Sequence, residues 1–78
     1  MEINANYKKK VHCYVGRLKN SKMDGLGILH LFGGEKYEGN FLDNKFNGFG
    51  IKFRPNNSII YEGNWINGHE VDLSKLRY

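Results

Sequence analysis

Large apolar residues alternate with glycine or polar residues in two neighbouring stretches of the chain. In the first stretch, Tyr37, Gly39 and Phe41 are separated by Glu38 and Asn40. A period of two residues is typical of a β-strand that buries one face and exposes the other. This stretch therefore predicts a strand with Glu38 on its outward face.

The second stretch, Phe49 to Phe53, alternates in the same way and predicts a partner strand. The segment between the two, Leu42 to Gly48, contains Asp, Asn and Gly, which are turn-forming residues. We therefore expect a β-hairpin whose turn lies within residues 42–48. Further turns are predicted at Gly33-Gly34 before this hairpin and at residues 54–57 after it.

The hairpin belongs to a repeat that begins at Tyr14, Tyr37 and Tyr61, at steps of 23 and 24 residues. In every unit a glycine lies two residues after the tyrosine and a large apolar residue lies four after it. The first two units also carry a Gly-x-Gly motif. The predicted repeat framework comprises Tyr14, Gly16, Gly25, Gly27, Gly39, Gly48, Gly50 and Gly63 together with the other two tyrosines. Such units bury their faces against their nearest neighbours, as in other repeat proteins.

The glycines need a physical reason, because glycine weakens the interior of a strand. Some could adopt a positive φ angle at turns. Others, such as Gly39 and Gly50, could let an aromatic ring from a neighbouring hairpin lie against bare backbone.

The order Tyr-x-Gly-x-aromatic followed by Gly-x-Gly resembles the MORN repeat family. The family pattern has a glycine seven residues after the tyrosine, which is Ser21 in the first unit, Asn44 in the second and Gly68 in the third. The third unit lacks the Gly-x-Gly motif, because Asp72 and Ser74 occupy those positions. The resemblance therefore predicts two full repeats and a partial third.

The fold expected from the repeat is all-β, an antiparallel sheet of stacked β-hairpins with about five strands. The predicted repeat domain covers residues 11–69. Residues 1–10 are predicted to be a flexible basic arm, and residues 70–78 a cap or tail.

One cysteine, Cys13, excludes a disulfide within the chain and favours a reducing compartment. The sequence has no apolar segment that resembles a signal peptide, and none approaches the roughly 18 residues that a membrane span needs. We therefore expect a cytoplasmic location, with association to the cytoskeleton or to a membrane surface implied by the family resemblance.

Positive charge is concentrated at the start of the chain. Residues 1–22 carry six basic side chains and one acidic side chain, whereas residues 23–78 carry six basic and seven acidic. Lys8, Lys9, Lys10 and Arg17 are the candidate contacts for an anionic surface. A peripheral interaction with anionic phospholipid is the alternative function, and nucleic acid is the less favoured anionic partner because it rests on charge alone.

No arrangement of residues predicts an enzyme, a metal site or a cofactor site. The two Gly-x-Gly motifs lack the third glycine of a nucleotide-binding loop. His12, Cys13, His30 and His69 do not have the spacing of zinc ligands. The acidic side chains of Glu38 and Glu62 share one repeat position and are interpreted as outward-facing residues.

The aromatic repeat positions are the best candidates for contacts with a protein partner. The predicted surface, which a partner or a neighbouring repeat covers, comprises Tyr37, Phe41, Phe49, Tyr61 and Trp65. Aromatic anchors dominate many protein interfaces, and exposed sheet edges are often covered by a partner. The prediction is a non-catalytic scaffold module that binds another protein or a second copy of itself.

Overall fold

The computed structural model describes residues 11–71, which form one antiparallel sheet of six strands. The strands are β1 (Val11–Lys19), β2 (Lys22–Leu31), β3 (Lys36–Leu42), β4 (Lys45–Phe53), β5 (Ile59–Ile66) and β6 (His69–Glu70). They lie in the sheet in the order of the chain. The prediction of an all-β fold of stacked hairpins is confirmed, with one strand more than expected. The predicted arm at residues 1–10 lies outside the described residues, as does the tail after Val71.

Each repeat unit is a hairpin closed by a two-residue turn. The turns are Asn20-Ser21, Asp43-Asn44 and Asn67-Gly68, and all six residues have φ between 50° and 86°. Two consecutive residues with positive φ define the turn that matches the right-handed twist of paired strands. The turn Asp43-Asn44 lies within the predicted residues 42–48, whereas Lys45 to Gly48 belong to β4.

The sheet remains paired through β-bulges near the glycines that follow each tight turn. The register between β3 and β4 shifts between the pairs Gly39–Gly50 and Phe41–Phe46, so that β4 has extra residues at Gly48. Gly48 has φ of 100°, and Gly25 in the first unit has φ of 85°. These two glycines therefore confirm the expectation that some framework glycines supply a positive φ angle.

The tight turns also bond each unit to the unit before it. The N–H of Asn44 donates to the carbonyl of Met23 (3.0 Å), and the N–H of Gly68 donates to the carbonyl of Phe46 (2.9 Å). The Asn44 side chain adds a contact, because its Oδ1 accepts from the N–H of Met23 (2.8 Å). Asn44 therefore replaces the family glycine and contributes a hydrogen bond that glycine cannot make.

The four strands of the two full hairpins, together with the first strand of the third unit, bury one side of the sheet. Seven side chains are buried, and they form a single cluster: Met23, Leu29, Leu31, Tyr37, Phe41, Phe46 and Trp65. We call this side the aromatic face and the opposite side the outer face.

Replacing Ser21 and Asn44 with glycine is expected to have opposite effects on stability. Ser21→Gly should raise the free energy of unfolding by about 0.5 kcal/mol, because glycine relieves the strain of a positive φ angle at some cost in entropy. Asn44→Gly should lower it by about 1 kcal/mol, because the bond to Met23 is lost. Urea unfolding of both variants beside the wild type measures this. Equal effects at the two sites would contradict the proposed role of Asn44.

Candidate functional site

Five glycines form a continuous row across the first five strands. Gly16 pairs with Gly27, Gly27 with Gly39, Gly39 with Gly50, and Gly50 with Gly63. Paired residues in an antiparallel sheet point to the same side, so the row lies on the aromatic face. The row leaves a strip of bare backbone perpendicular to the strands.

Tyrosine rings occupy the space that the missing side chains leave. A Cβ atom at Gly50 would collide with the Tyr37 ring, and one at Gly27 would collide with the Tyr14 ring. In each case the ring comes from the same hairpin as the glycine. The prediction that a ring lies against bare backbone holds, but its expected origin in a neighbouring hairpin was wrong. The reason is that the ring leans along its own strand pair and crosses the glycine row there.

A hydrogen bond from the tyrosine hydroxyl to the carbonyl three residues later fixes the ring in this position, and it recurs in each unit. Tyr14 Oη donates to the carbonyl of Arg17 (2.6 Å), and Tyr37 Oη donates to the carbonyl of Asn40 (2.7 Å). In the third unit, Tyr61 Oη lies 3.1 Å from the equivalent carbonyl, that of Asn64, and 2.7 Å from the carbonyl of Val71. Burial raises the pKa of Tyr37 to about 12, so the hydroxyl remains a hydrogen-bond donor at neutral pH.

The remaining rings pack around Tyr37. Its ring is stacked on Phe46, with centroids 3.7 Å apart, and meets Phe41 and Trp65 edge to face at 5.0 Å and 5.3 Å. Trp65 Nε1 donates to the carbonyl of Gly50 (3.1 Å), which satisfies its buried polar atom. The aromatic set is thus a core that joins the second unit to the third.

The structure separates the five aromatic residues that were predicted to form one partner-binding surface. Tyr37, Phe41 and Trp65 are at most 3% exposed, and Tyr61 is partly buried against them. Phe49 is 51% exposed and lies on the opposite side. The cause is strand alternation: since Gly50 faces the tyrosine ring, its neighbour Phe49 must point away.

Sequence reasoning missed Phe46, whose ring occupies the place expected for Phe49. Phe46 is 2% exposed and contacts Tyr37, Phe41 and Trp65. A signal was present, because Phe46 and Met23 are both large apolar residues nine positions after the unit's tyrosine. The signal was hidden because the segment was assigned to a turn.

The outer face carries apolar side chains that the described chain leaves exposed. Val15 is 62% exposed, Leu26 is 64% exposed and Phe49 is 51% exposed. Ile28 and Ile51 lie beside them and are half-buried. A shallow depression of about 330 Å³ is lined by Val15, Gly16, Leu26, Gly27, Ile28, Glu38 and Gly39. The bare glycine backbone therefore also shapes this second face.

Two carboxylates interrupt the apolar residues of the outer face. The register places Val15, Ile28, Glu38, Ile51 and Glu62 in one row across β1 to β5. Glu38 and Glu62 are exposed. Lys52 instead lies 3.9 Å from Glu35, and Lys36 lies over the Phe53 ring. Within residues 11–71 neither Glu38 nor Glu62 pairs with a basic side chain.

The other candidate residues form no common site. Arg17 is exposed on β1, while Lys8, Lys9 and Lys10 lie outside the described residues. Among the residues that the structure describes, no group of three or more His, Cys, Asp or Glu side chains could hold a metal ion. The same part of the chain contains no helix that is long and apolar enough to cross a membrane.

The fold and the two faces define a class of protein, a repeat module of stacked β-hairpins with an internal aromatic face and an exposed apolar face. The MORN repeat profile matches residues 14–35, 37–59 and 61–70, which together make up more than half of the chain. The chain therefore belongs to the MORN repeat family, with two full repeats and a partial third. MORN repeats are generally associated with protein- or membrane-binding modules and are not a known enzyme family. No curated protein matches the sequence significantly.

Adding a methyl group to the glycine row is expected to disrupt the core. Gly50→Ala should lower the free energy of unfolding by about 3 kcal/mol, because the Tyr37 ring fills the required space. Gly33→Ala is the matched control, since Gly33 has φ of 99° but no atom within 4 Å of the added carbon. It should cost only the backbone strain, about 1 kcal/mol. Thermal and urea unfolding check both values, and equal losses would contradict the close contact at Gly50.

Proposed function

We propose that this chain is a non-catalytic protein-binding module and that its outer face is the binding surface. The observation that carries the proposal is the exposure of Val15, Leu26 and Phe49 on one side of the sheet. Exposed apolar side chains that lie next to one another mark protein interaction sites in soluble domains. A partner that covers them removes this apolar area from water.

The aromatic face is a poor candidate for the same role. Its rings contact one another and the glycine backbone, so a partner could reach them only after the hairpins separate. The polar atoms of its rings also have partners within the chain, because the Tyr37 hydroxyl and the Trp65 indole N–H each donate to a backbone carbonyl. The proposal therefore keeps Phe49 from the predicted surface and adds Val15, Leu26, Ile28 and Ile51.

The outer face is an extended surface that crosses the strands. Five strands present side chains from the outer face in transverse rows, and the rows extend across the two full repeats. Repeat modules use such extended surfaces to bind partners. The glycine row beneath makes part of this surface concave, which lets a protruding side chain approach the backbone.

The alternative, a peripheral interaction with anionic phospholipid, uses other residues. It depends on the charged side chains of Lys8, Lys9, Lys10 and Arg17 and not on the apolar outer face. Glu38 and Glu62 lie in one row across that face, and their carboxylates repel anionic head groups. A protein partner therefore fits the outer face better than an anionic membrane does.

Photo-crosslinking from the outer face tests this proposal in cells of the organism that produces the protein. A photoreactive benzoylphenylalanine replaces Leu26, and the matched control carries it at Leu18, which is 56% exposed and pairs with Met23 on the aromatic side. We expect discrete protein adducts from position 26 and few from position 18. Mass spectrometry of the adducts separates a different protein from a second copy of this chain. The absence of protein adducts at position 26, or equal labelling at both positions, would contradict the proposal.

A further inference from the structure

The outer face alternates apolar and acidic side chains along a line perpendicular to the strands. In the central row, the apolar residues Ile28 and Ile51 lie on β2 and β4, and the acidic residues Glu38 and Glu62 lie on β3 and β5. The row beside it repeats the division, because Leu26 and Phe49 pair with Asn40 and Asn64. Apolar and polar strands therefore alternate from β2 to β5.

The distance over which this pattern repeats is set by the sheet. Neighbouring strands lie about 4.8 Å apart, so two like strands are separated by about 9.6 Å. Seven residues of an α-helix rise about 10.5 Å. A helix that crosses the strands can therefore place equivalent side chains over both apolar strands, or over both acidic strands, with a mismatch of about 1 Å per repeat.

The offset between unlike strands fits the same helix. One strand spacing of about 4.8 Å corresponds to three or four helical residues. Positions i, i+3 or i+4, and i+7 lie on one stripe of a helix. A stripe that alternates apolar and basic residues would meet Ile28, Glu38, Ile51 and Glu62 in turn.

Charge complementarity determines the sign of the charged residues on the contacting stripe of the helix. Glu38 and Glu62 are exposed and have no basic partner among residues 11–71. A lysine or arginine on the stripe would supply that partner, and its aliphatic stem would cover the adjoining apolar side chains. The depression between Val15, Leu26 and Ile28 has Glu38 at its rim, so an apolar side chain and a neighbouring basic one fit there together.

A second copy of the chain fits this face less well. Copies that meet face to face are related by a two-fold axis. An axis through β3, the middle of the five strands, would bring Glu38 against the Glu38 of the second copy. Two carboxylates in contact repel each other, and burial would increase the cost.

We propose that the outer face binds an amphipathic α-helix that crosses the strands, with apolar and basic residues alternating along its contacting stripe. This inference rests on the proposed function. It adds that the partner's contacting segment is helical, that it crosses the strands, and that it carries basic side chains. It also distinguishes this mode from strand addition at the sheet edge, which would not involve the row of Glu38 and Glu62.

Synthetic helical peptides of about 21 residues, long enough for three heptads, provide the test. The first peptide has Leu and Lys alternating at intervals of three and four residues on one stripe, with Ala and Gln elsewhere. The second has the same composition, with Lys moved to the opposite face. The third has Glu in place of each stripe Lys. Binding to the full chain is measured by isothermal titration calorimetry at low ionic strength, where exposed ion pairs are least screened.

The first peptide should bind about tenfold more tightly than the second, as expected for two partly exposed ion pairs. Glu62→Lys should reduce this binding and improve binding of the Glu peptide. Glu70→Lys is the matched control, because Glu70 is an exposed acid on β6 outside the row. Glu38→Gln provides a milder change that retains the size of the side chain.

Several outcomes would overturn the inference. Equal binding of the first two peptides would show that the face does not recognise the alternating stripe. An equal effect of Glu62→Lys and Glu70→Lys would show that only total charge matters. If no peptide binds while Leu26 still forms protein adducts in cells, the helical partner is wrong and the protein-binding function stands. If Leu26 forms no protein adducts, the function itself fails.

Discussion

The structure depends on the contact between a tyrosine ring and a glycine of the opposing strand. Tyr37 lies across the row at Gly50, and its hydroxyl reaches the carbonyl of Asn40. This contact allows one register, because a slip of one residue would put Phe49 or Ile51 beneath the ring. The same contact recurs between Tyr14 and Gly27, so each hairpin is aligned by its own tyrosine. The glycines are therefore required by the packing of the ring.

Two consequences follow for the faces of the sheet. The rings on the aromatic side pack edge to face and on bare backbone, so a thin sheet can bury them without a second layer. The opposite side then carries every second residue of the strands and has no such rings to cover it. Val15, Leu26 and Phe49 remain exposed there. The arrangement that stabilises the fold thus also leaves apolar side chains of the opposite face exposed.

The repeat made most of the fold predictable from the sequence. The tyrosine positions gave the units, and alternation around Gly39 and Gly50 gave the strands, because both follow from local chemistry and spacing. The extent of the tight turn could not be read in the same way. Asp43 and Asn44 are adjacent to Asn47 and Gly48, and all four favour turns, but only the first pair closes the hairpin.

The candidate site was harder to predict for a related reason. The alternation shows that the strands have two faces, but which face is buried depends on how the aromatic rings of different units pack together. The predicted surface combines Phe49 with Phe41, although Gly50, the neighbour of Phe49, faces the Tyr37 ring. The transverse row containing Glu38 and Glu62 depends on pairing between distant residues, and pattern along the chain does not specify that pairing.

The fluorescence of Trp65, the single tryptophan of the chain, tests most directly whether the aromatic face is buried. The aromatic face is internal in the free protein, where Trp65 is 3% exposed and its indole N–H donates to the Gly50 carbonyl. We therefore expect a blue-shifted emission maximum and slow quenching by acrylamide, both of which are lost in denaturant. Emission and quenching in native buffer that match the denatured chain would show that the aromatic face is open, and would contradict the account.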